Sequence, residues 1–386
     1  MKIFASVVVW GSEYTHTFLN FNLPILTRHL FLLKEGFSEL SFFIYTYEEY
    51  YDLIIDNEYY KTASKCFQLF VFCLGSEAAA ESNCYSQMHD AHKKFIAHAQ
   101  SEQAGMIFLA PDAWFSKQTF VLLGNIIRLE KRAMLLAAPR VEKEYGLDYL
   151  IQNKQRFFSE GMETQDIITP ILNRPHMITQ AFCVDENQST SVSWPSTLYW
   201  WREDNAGFII RSFHLHPLYV HPRAENLAVN FTIDFDLIER SGLTEDDIYI
   251  PSDSTEACGF ELSTARRQHN GVSRPLVAHD LLNFVKSSYA TPRHCQNILH
   301  RIYYHKYDDL NSSSWKKLTD KSDAMIEEFQ TLLSKRGEEE EEKIPESDKI
   351  PQNEKVLENE KILEKNSPFR RWWELLSFPF SRMLKP

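Results

Sequence analysis

Glycine and proline are scarce in this chain of 386 residues, at 12 and 16. Few flexible joints are therefore expected, and a collagen-like chain is excluded. Cysteine is scarce too. The six (Cys66, Cys73, Cys84, Cys183, Cys258 and Cys295) are scattered with no CxxC pair. That excludes a disulfide scaffold and fits reduced thiols in a cytoplasmic setting. No apolar run reaches the ~18 residues that a spanning helix needs. The opening MKIFASVVVWGSEY meets no small-residue cleavage site, so no signal peptide is expected. Positive charge is short: 41 Lys and Arg face 53 Asp and Glu, a net charge of −12. Counterion release needs basic surface, so no nucleic-acid partner is expected. GxGxxG, P-loop, HExxH and GxSxG motifs are all missing, which removes support from dinucleotide, P-loop, zincin and α/β-hydrolase classes.

What is present reads as an α/β chain. Ile3–Trp10, Leu40–Tyr45, Cys66–Leu74, Met106–Ala110 and Met134–Ala138 are short apolar runs of buried-strand type. Helical patterns separate them, over Glu13–Leu33, Ser82–Gln100 and Gln118–Arg132. Ser12 can cap the first helix, and Pro24 predicts a kink in it. Strands alternating with helices imply right-handed crossovers and a mainly parallel, Rossmann-like sheet with helices on both faces. Residues 141–335 form a second half. Its first part is irregular and aromatic (Trp194, Trp200, Trp201), with strand candidates Gly207–Phe213 and Ile248–Ile250. Residues 275–335 read as helical.

Beyond residue 335 the composition changes. Residues 336–368 carry a five-Glu run and a hexapeptide repeat, KIPESD, KIPQNE, KVLENE, KILEKN. Such a charged, Pro-interrupted stretch is expected to be a disordered linker, or a solvated helix in its second half. Residues 369–386, SPFRRWWELLSFPFSRMLKP less its first two letters, mix Trp372, Trp373 and Phe380 with Arg370, Arg371, Arg382 and Lys385. Aromatic and basic side chains together suit a peripheral membrane surface; packing against protein is the alternative.

In an open parallel sheet, ligands bind beyond the carboxyl ends of the strands. That rule selects Trp10-Gly11-Ser12, Tyr45-Thr46 and Pro111-Asp112-Ala113. Asp112 is placed to hold a hydroxyl or a metal, or else it caps a turn. Arg140, leaving the fifth strand, meets a phosphate or is a surface cation. Further along, His214 and His216 alternate with Phe213 and Leu215, which on a strand puts both imidazoles on one side. With Asp234-Phe-Asp236 they could bind a divalent ion, position a sugar or phosphate without metal, or serve as ordinary surface groups.

The segments VVVWGSEYTHTFLNFNLPILTRH, MIFLAPDAWFS, SFHLHPLYVHPR and TIDFD together resemble a family of uncharacterised bacterial proteins of glycosyltransferase-like, GT-A-type architecture. The resemblance spans roughly residues 1–310 as dispersed short motifs. It implies a transferase that moves a sugar from a nucleotide-sugar donor to a polymer, lipid or protein acceptor. Trp10, Gly11, Tyr14, Thr46 and Arg140 would then border nucleotide and sugar. Asp112, His214, His216 and Asp236 would form the catalytic centre, with Asp112 and His216 holding Mn or Mg. One departure stands out: where a DxD is usual, this chain reads Pro111-Asp112-Ala113-Trp114, a single carboxylate. The rival expectation is a non-catalytic, tethered binding module or effector on the same scaffold.

Overall fold

A computed structural model describes residues 1–34, 36–77, 84–184, 195–230, 232–264, 275–288, 290–306 and 309–342. Trp194, the start of the expected helix at Ser82, and residues 343–386 with the repeat and the aromatic-basic terminus lie outside the described residues.

Thirteen strands occur among the described residues: β1 (Lys2–Val8), β2 (Glu39–Thr46), β3 (Gln68–Cys73), β4 (Gly105–Leu109), β5 (Ala113–Phe115), β6 (Ala133–Leu136), β7 (Arg140–Glu142), β8 (Thr197–Trp201), β9 (Gly207–Ser212), β10 (His216–Val220), β11 (Ile248–Tyr249), β12 (Gly259–Ser263) and β13 (Ile302–His305). Seven of them form the central sheet in the order β11-β6-β10-β4-β1-β2-β3. β1 pairs parallel with β2 and β4, and β2 with β3. β10 runs antiparallel between β4 and β6, and β11 lies parallel to β6. The five strands expected from sequence thus share one mostly parallel sheet.

Burial on both faces explains the continuous apolar runs. Ile3, Ala5 and Val7 of β1 face one cluster with Leu26, Leu30, Phe120 and Leu123. Phe4 and Val8 point the other way, into a cluster with Phe43, Phe95 and Phe108. Two three-stranded sheets, β5-β12-β7 and β13-β9-β8, complete the strands.

The chain divides into two compact units, Met1–Leu276 with Thr291–Ser322, and Val277–Ala290 with Asp323–Pro386. The first holds all three sheets, so both expected halves share it. In the second, the described residues are 277–288 with the helix Ala278–Ser287, residue 290, and the helix Ser313–Glu342 from Asp323 onward. No helix among the described residues is long and apolar enough to cross a membrane.

Several local expectations are corrected. Gly11, at φ 76°, stands ahead of the first helix, and Ser12 is its first residue. The irregularity expected at Pro24 falls one turn earlier, as a π-helical turn over Phe18–Asn22. Residues 275–335 are not wholly helical: Ile302–His305 is a strand, because β9 offers it an antiparallel partner. The last helix runs past Lys335 to Glu342, since glutamate favours helix well enough to carry it through the acidic run.

Candidate functional site

The parallel strands β1, β2 and β4 end along one edge of the central sheet, and the chain segments leaving them carry most of the expected ligand-binding residues. After β1 the chain turns at Gly11, whose positive φ would strain any residue with a Cβ. The Gly11 carbonyl accepts from Thr15 N at 3.0 Å, starting the helix. Trp10, half-buried, tilts against Tyr47 with ring centroids 5.8 Å apart. Tyr14 is exposed, and the Lys143 ammonium sits 4.7 Å above its ring. Lys143 also pairs with Glu13 at 2.8 Å; the Lys143 side chain is 4% exposed and that of Glu13 66%. Thr46 ends β2 fully buried, its Oγ1 without a hydrogen-bond partner among the described residues. It therefore lies beneath the edge, not on its surface.

β4 leads into Ala110-Pro111-Asp112 and then β5. Here tertiary pairing assembles charge. β12 pairs antiparallel with β5, setting Glu261 opposite Ala113, and parallel with β7, setting Glu261 opposite Arg140. Leu262 N donates to the Asp112 carbonyl at 2.9 Å, and Arg140 Nε lies 3.5 Å from Glu261 Oε2. Glu261 thus stands between Asp112 and Arg140. Burial, and next the charge of Glu261, push the Asp112 carboxyl up to about 7, while its own amide, Arg140 and Lys143 hold it down in part. The outcome is a carboxyl raised by burial and by the charge of Glu261 against the pull of Arg140 and Lys143, the kind of perturbed titrating group that concentrates at functional sites.

The histidines do a different job. His216 Nδ1 lies 3.0 Å from Asp234 Oδ1, and its Nε2 lies 2.9 Å from the Phe108 carbonyl oxygen. Both partners only accept, so both nitrogens donate and the ring is a cation. Burial alone would lower its pKa, but the Asp234 hydrogen bond and charge outweigh burial and raise it. The ring also stacks against Phe115 at 6.5 Å. His216 therefore braces the chain on both sides of Asp112, through residues 108 and 115.

His214 precedes β10, in a loop. It packs against His294, centroids 4.3 Å apart, and Phe235, and burial lowers its pKa against the pull of Asp234. Asp236, buried, accepts from Asn230 N at 2.8 Å and Arg240 Nε at 2.9 Å. So it is Asp234, and not the expected Asp236, whose carboxylate His216 meets, and Asp236 secures the first turn of the helix Ile233–Arg240.

A metal set of Asp112 and His216 does not fit this geometry. With both nitrogens spent as donors, His216 keeps no lone pair for a metal. Among the described residues no three His, Cys, Asp or Glu side chains gather to hold an ion. Around Asp112 the positive charge comes from Arg140 and Lys143. Sequence reasoning missed Glu13, Lys143 and Glu261. Lys143 had a faint signal, three residues past Arg140, whereas Glu261 had none, since only strand pairing brings it here. No family model matches the chain, and no curated protein matches it significantly.

Proposed function

We propose that the chain is a glycosyltransferase-like enzyme that binds a nucleotide-sugar along this edge and passes the sugar to a polymer, lipid or protein acceptor. The observation that carries the proposal is Asp112 at the carboxyl end of parallel strands, its carboxyl raised by burial and the charge of Glu261 and held down by Arg140 and Lys143, with Arg140 3.5 Å from Glu261. A mostly parallel sheet with one reversed strand, β10, is compatible with GT-A architecture. Fold alone does not select a chemistry; the charges are what support this one. Arg140 and Lys143 would take the donor's phosphates, with Trp10 and Tyr14 flanking the base at the Gly11 turn. As the bond from sugar carbon to phosphate oxygen breaks, the electron pair leaves with the phosphate, and the two cations stabilise that charge. Whichever of the Asp112 and Glu261 carboxyls is ionised would accept the proton of the attacking hydroxyl.

The test is donor binding. A nucleotide-sugar present at 100 times its dissociation constant should stabilise the fold by about 2.7 kcal/mol, a melting shift of several degrees. The screen covers UDP-, GDP- and CMP-sugars, each with and without Mn²⁺. No shift with any of them at millimolar concentration would sink the proposal. A shift without turnover on any acceptor would favour a binding module.

The aromatic-basic terminus, residues 369–386, is proposed to attach the enzyme reversibly to an anionic membrane. Four cations contribute roughly 1 kcal/mol each near such a surface, and Trp372, Trp373 and Phe380 add buried apolar area. The full chain should pellet with anionic vesicles and release in high salt. A chain ending at Lys335 should stay in the supernatant; equal pelleting of both would refute the attachment.

A further inference from the structure

The π turn ahead of Pro24 has a cause and a consequence. Proline has no N–H to give the carbonyl four residues back, and its ring crowds that carbonyl. The helix widens over Phe18–Asn22, with Leu23 N bonding to the Phe18 carbonyl. Widened turns of this kind are frequent at functional sites. The residue that ends this one is Asn22, 1% exposed. Its Nδ2 lies 3.1 Å from the Ala110 carbonyl, 3.0 Å from that of Pro111 and 3.0 Å from that of Ala113. Three peptide groups on both sides of Asp112 therefore converge on one nitrogen, which has two hydrogens to share. The Asn22 Oδ1 is buried without a partner among the described residues. An unpartnered buried oxygen is a cost, so this carboxamide is placed for its donors.

We infer that Asn22 is a positioning residue: it fixes the turn that carries the Asp112 carboxyl. The inference rests on the proposed role of Asp112, but its test needs no donor. With Asn22 removed, the turn relaxes and the carboxyl swings from Glu261 toward water. Its titration then returns toward the ordinary carboxylate range, because separation from a like charge and from buried surroundings both favour the ionised form.

The experiment is a carbon-13 NMR titration of the full chain labelled at aspartate carboxyls, the Asp112 resonance assigned by its loss in Asp112→Asn. In Asn22→Leu, which keeps the bulk and loses the donors, the Asp112 midpoint should fall by about one pH unit or more. Ile126→Val, which trims a buried side chain on the helix Lys117–Arg128 and removes no hydrogen-bond donor, should lower the melting temperature without moving that midpoint. If Asn22→Leu fails to fold, Asn22→Ser carries the same measurement. An unchanged midpoint in the Asn22 variant, an equal shift in Ile126→Val, or a parent midpoint already in the ordinary range would each overturn the inference. An unchanged midpoint together with intact donor binding removes Asn22 alone. Absent donor binding together with a shifted midpoint removes the transferase proposal and leaves Asn22 in place.

Discussion

Replacing Asp112 by Asn should yield a protein that is more stable than its parent at pH 8 yet transfers sugar at least ~100-fold more slowly, the scale on which a positioned polar group acts. The two effects have one origin. In an unfolded chain a carboxyl titrates near about 4; in the fold, burial and then the Glu261 charge push Asp112 up to about 7. Between those pH values the native state binds more protons than the unfolded chain. Stability therefore falls as pH rises through the window. Asn carries no charge and escapes that loss. The full shift corresponds to roughly 4 kcal/mol. Asp112 is only partly buried, and water screens part of the penalty, so a gain of about 1–2 kcal/mol is expected above pH 7. Below pH 4 the gain should vanish. Melting curves of parent and variant from pH 4 to 8 decide the matter. Parallel curves would mean that Asp112 carries no perturbed carboxyl, and unchanged turnover would remove it from the centre.

Lys143→Met should weaken donor binding by about 30-fold or more, near 2 kcal/mol, as expected when a buried charge that meets an anion is truncated. Methionine keeps the aliphatic stem that lies almost wholly inside the fold, so packing is largely retained. What disappears is the ammonium, 2.8 Å from Glu13 and 4.7 Å above Tyr14. Lys143 is also one of the charges that hold the Asp112 carboxyl down. Its loss should therefore raise the Asp112 midpoint, opposite in sign to the Asn22 variant. Lys154→Met is the control: that ammonium lies over Phe21, Tyr59 and Phe158 and should not affect donor affinity. Equal losses in the two variants, measured by calorimetry or thermal shift, would deny Lys143 its role.

Much of the central sheet was legible in the chain itself. A strand buried on both faces must be apolar at every position, and Ile3–Val8 and Met106–Leu109 announce that locally. The carboxyl-edge rule needs only strand ends and direction, and it selected Trp10, Gly11 and Asp112 at those ends together with Thr46, which the fold buries. Periodicity was less reliable where neighbours decide. Ile302–His305 became a strand because β9 had an open edge, and Glu338–Glu342 stayed helical through a run read as linker.

The sequence by itself determined a mostly parallel α/β sheet and where its strands end, because burial leaves its mark on each residue of an element. The charge state of the site was decided only by tertiary structure. Glu261 reaches Asp112 because β12 inserts between β5 and β7, and Asn22 holds the turn because Pro24 forces a π turn ahead of it. His216 reads as a metal ligand in the chain and is a cation in the fold, because both its nitrogens meet acceptors supplied by distant segments. Charge and protonation depend on partners across space, and alternation along one strand carries no record of them.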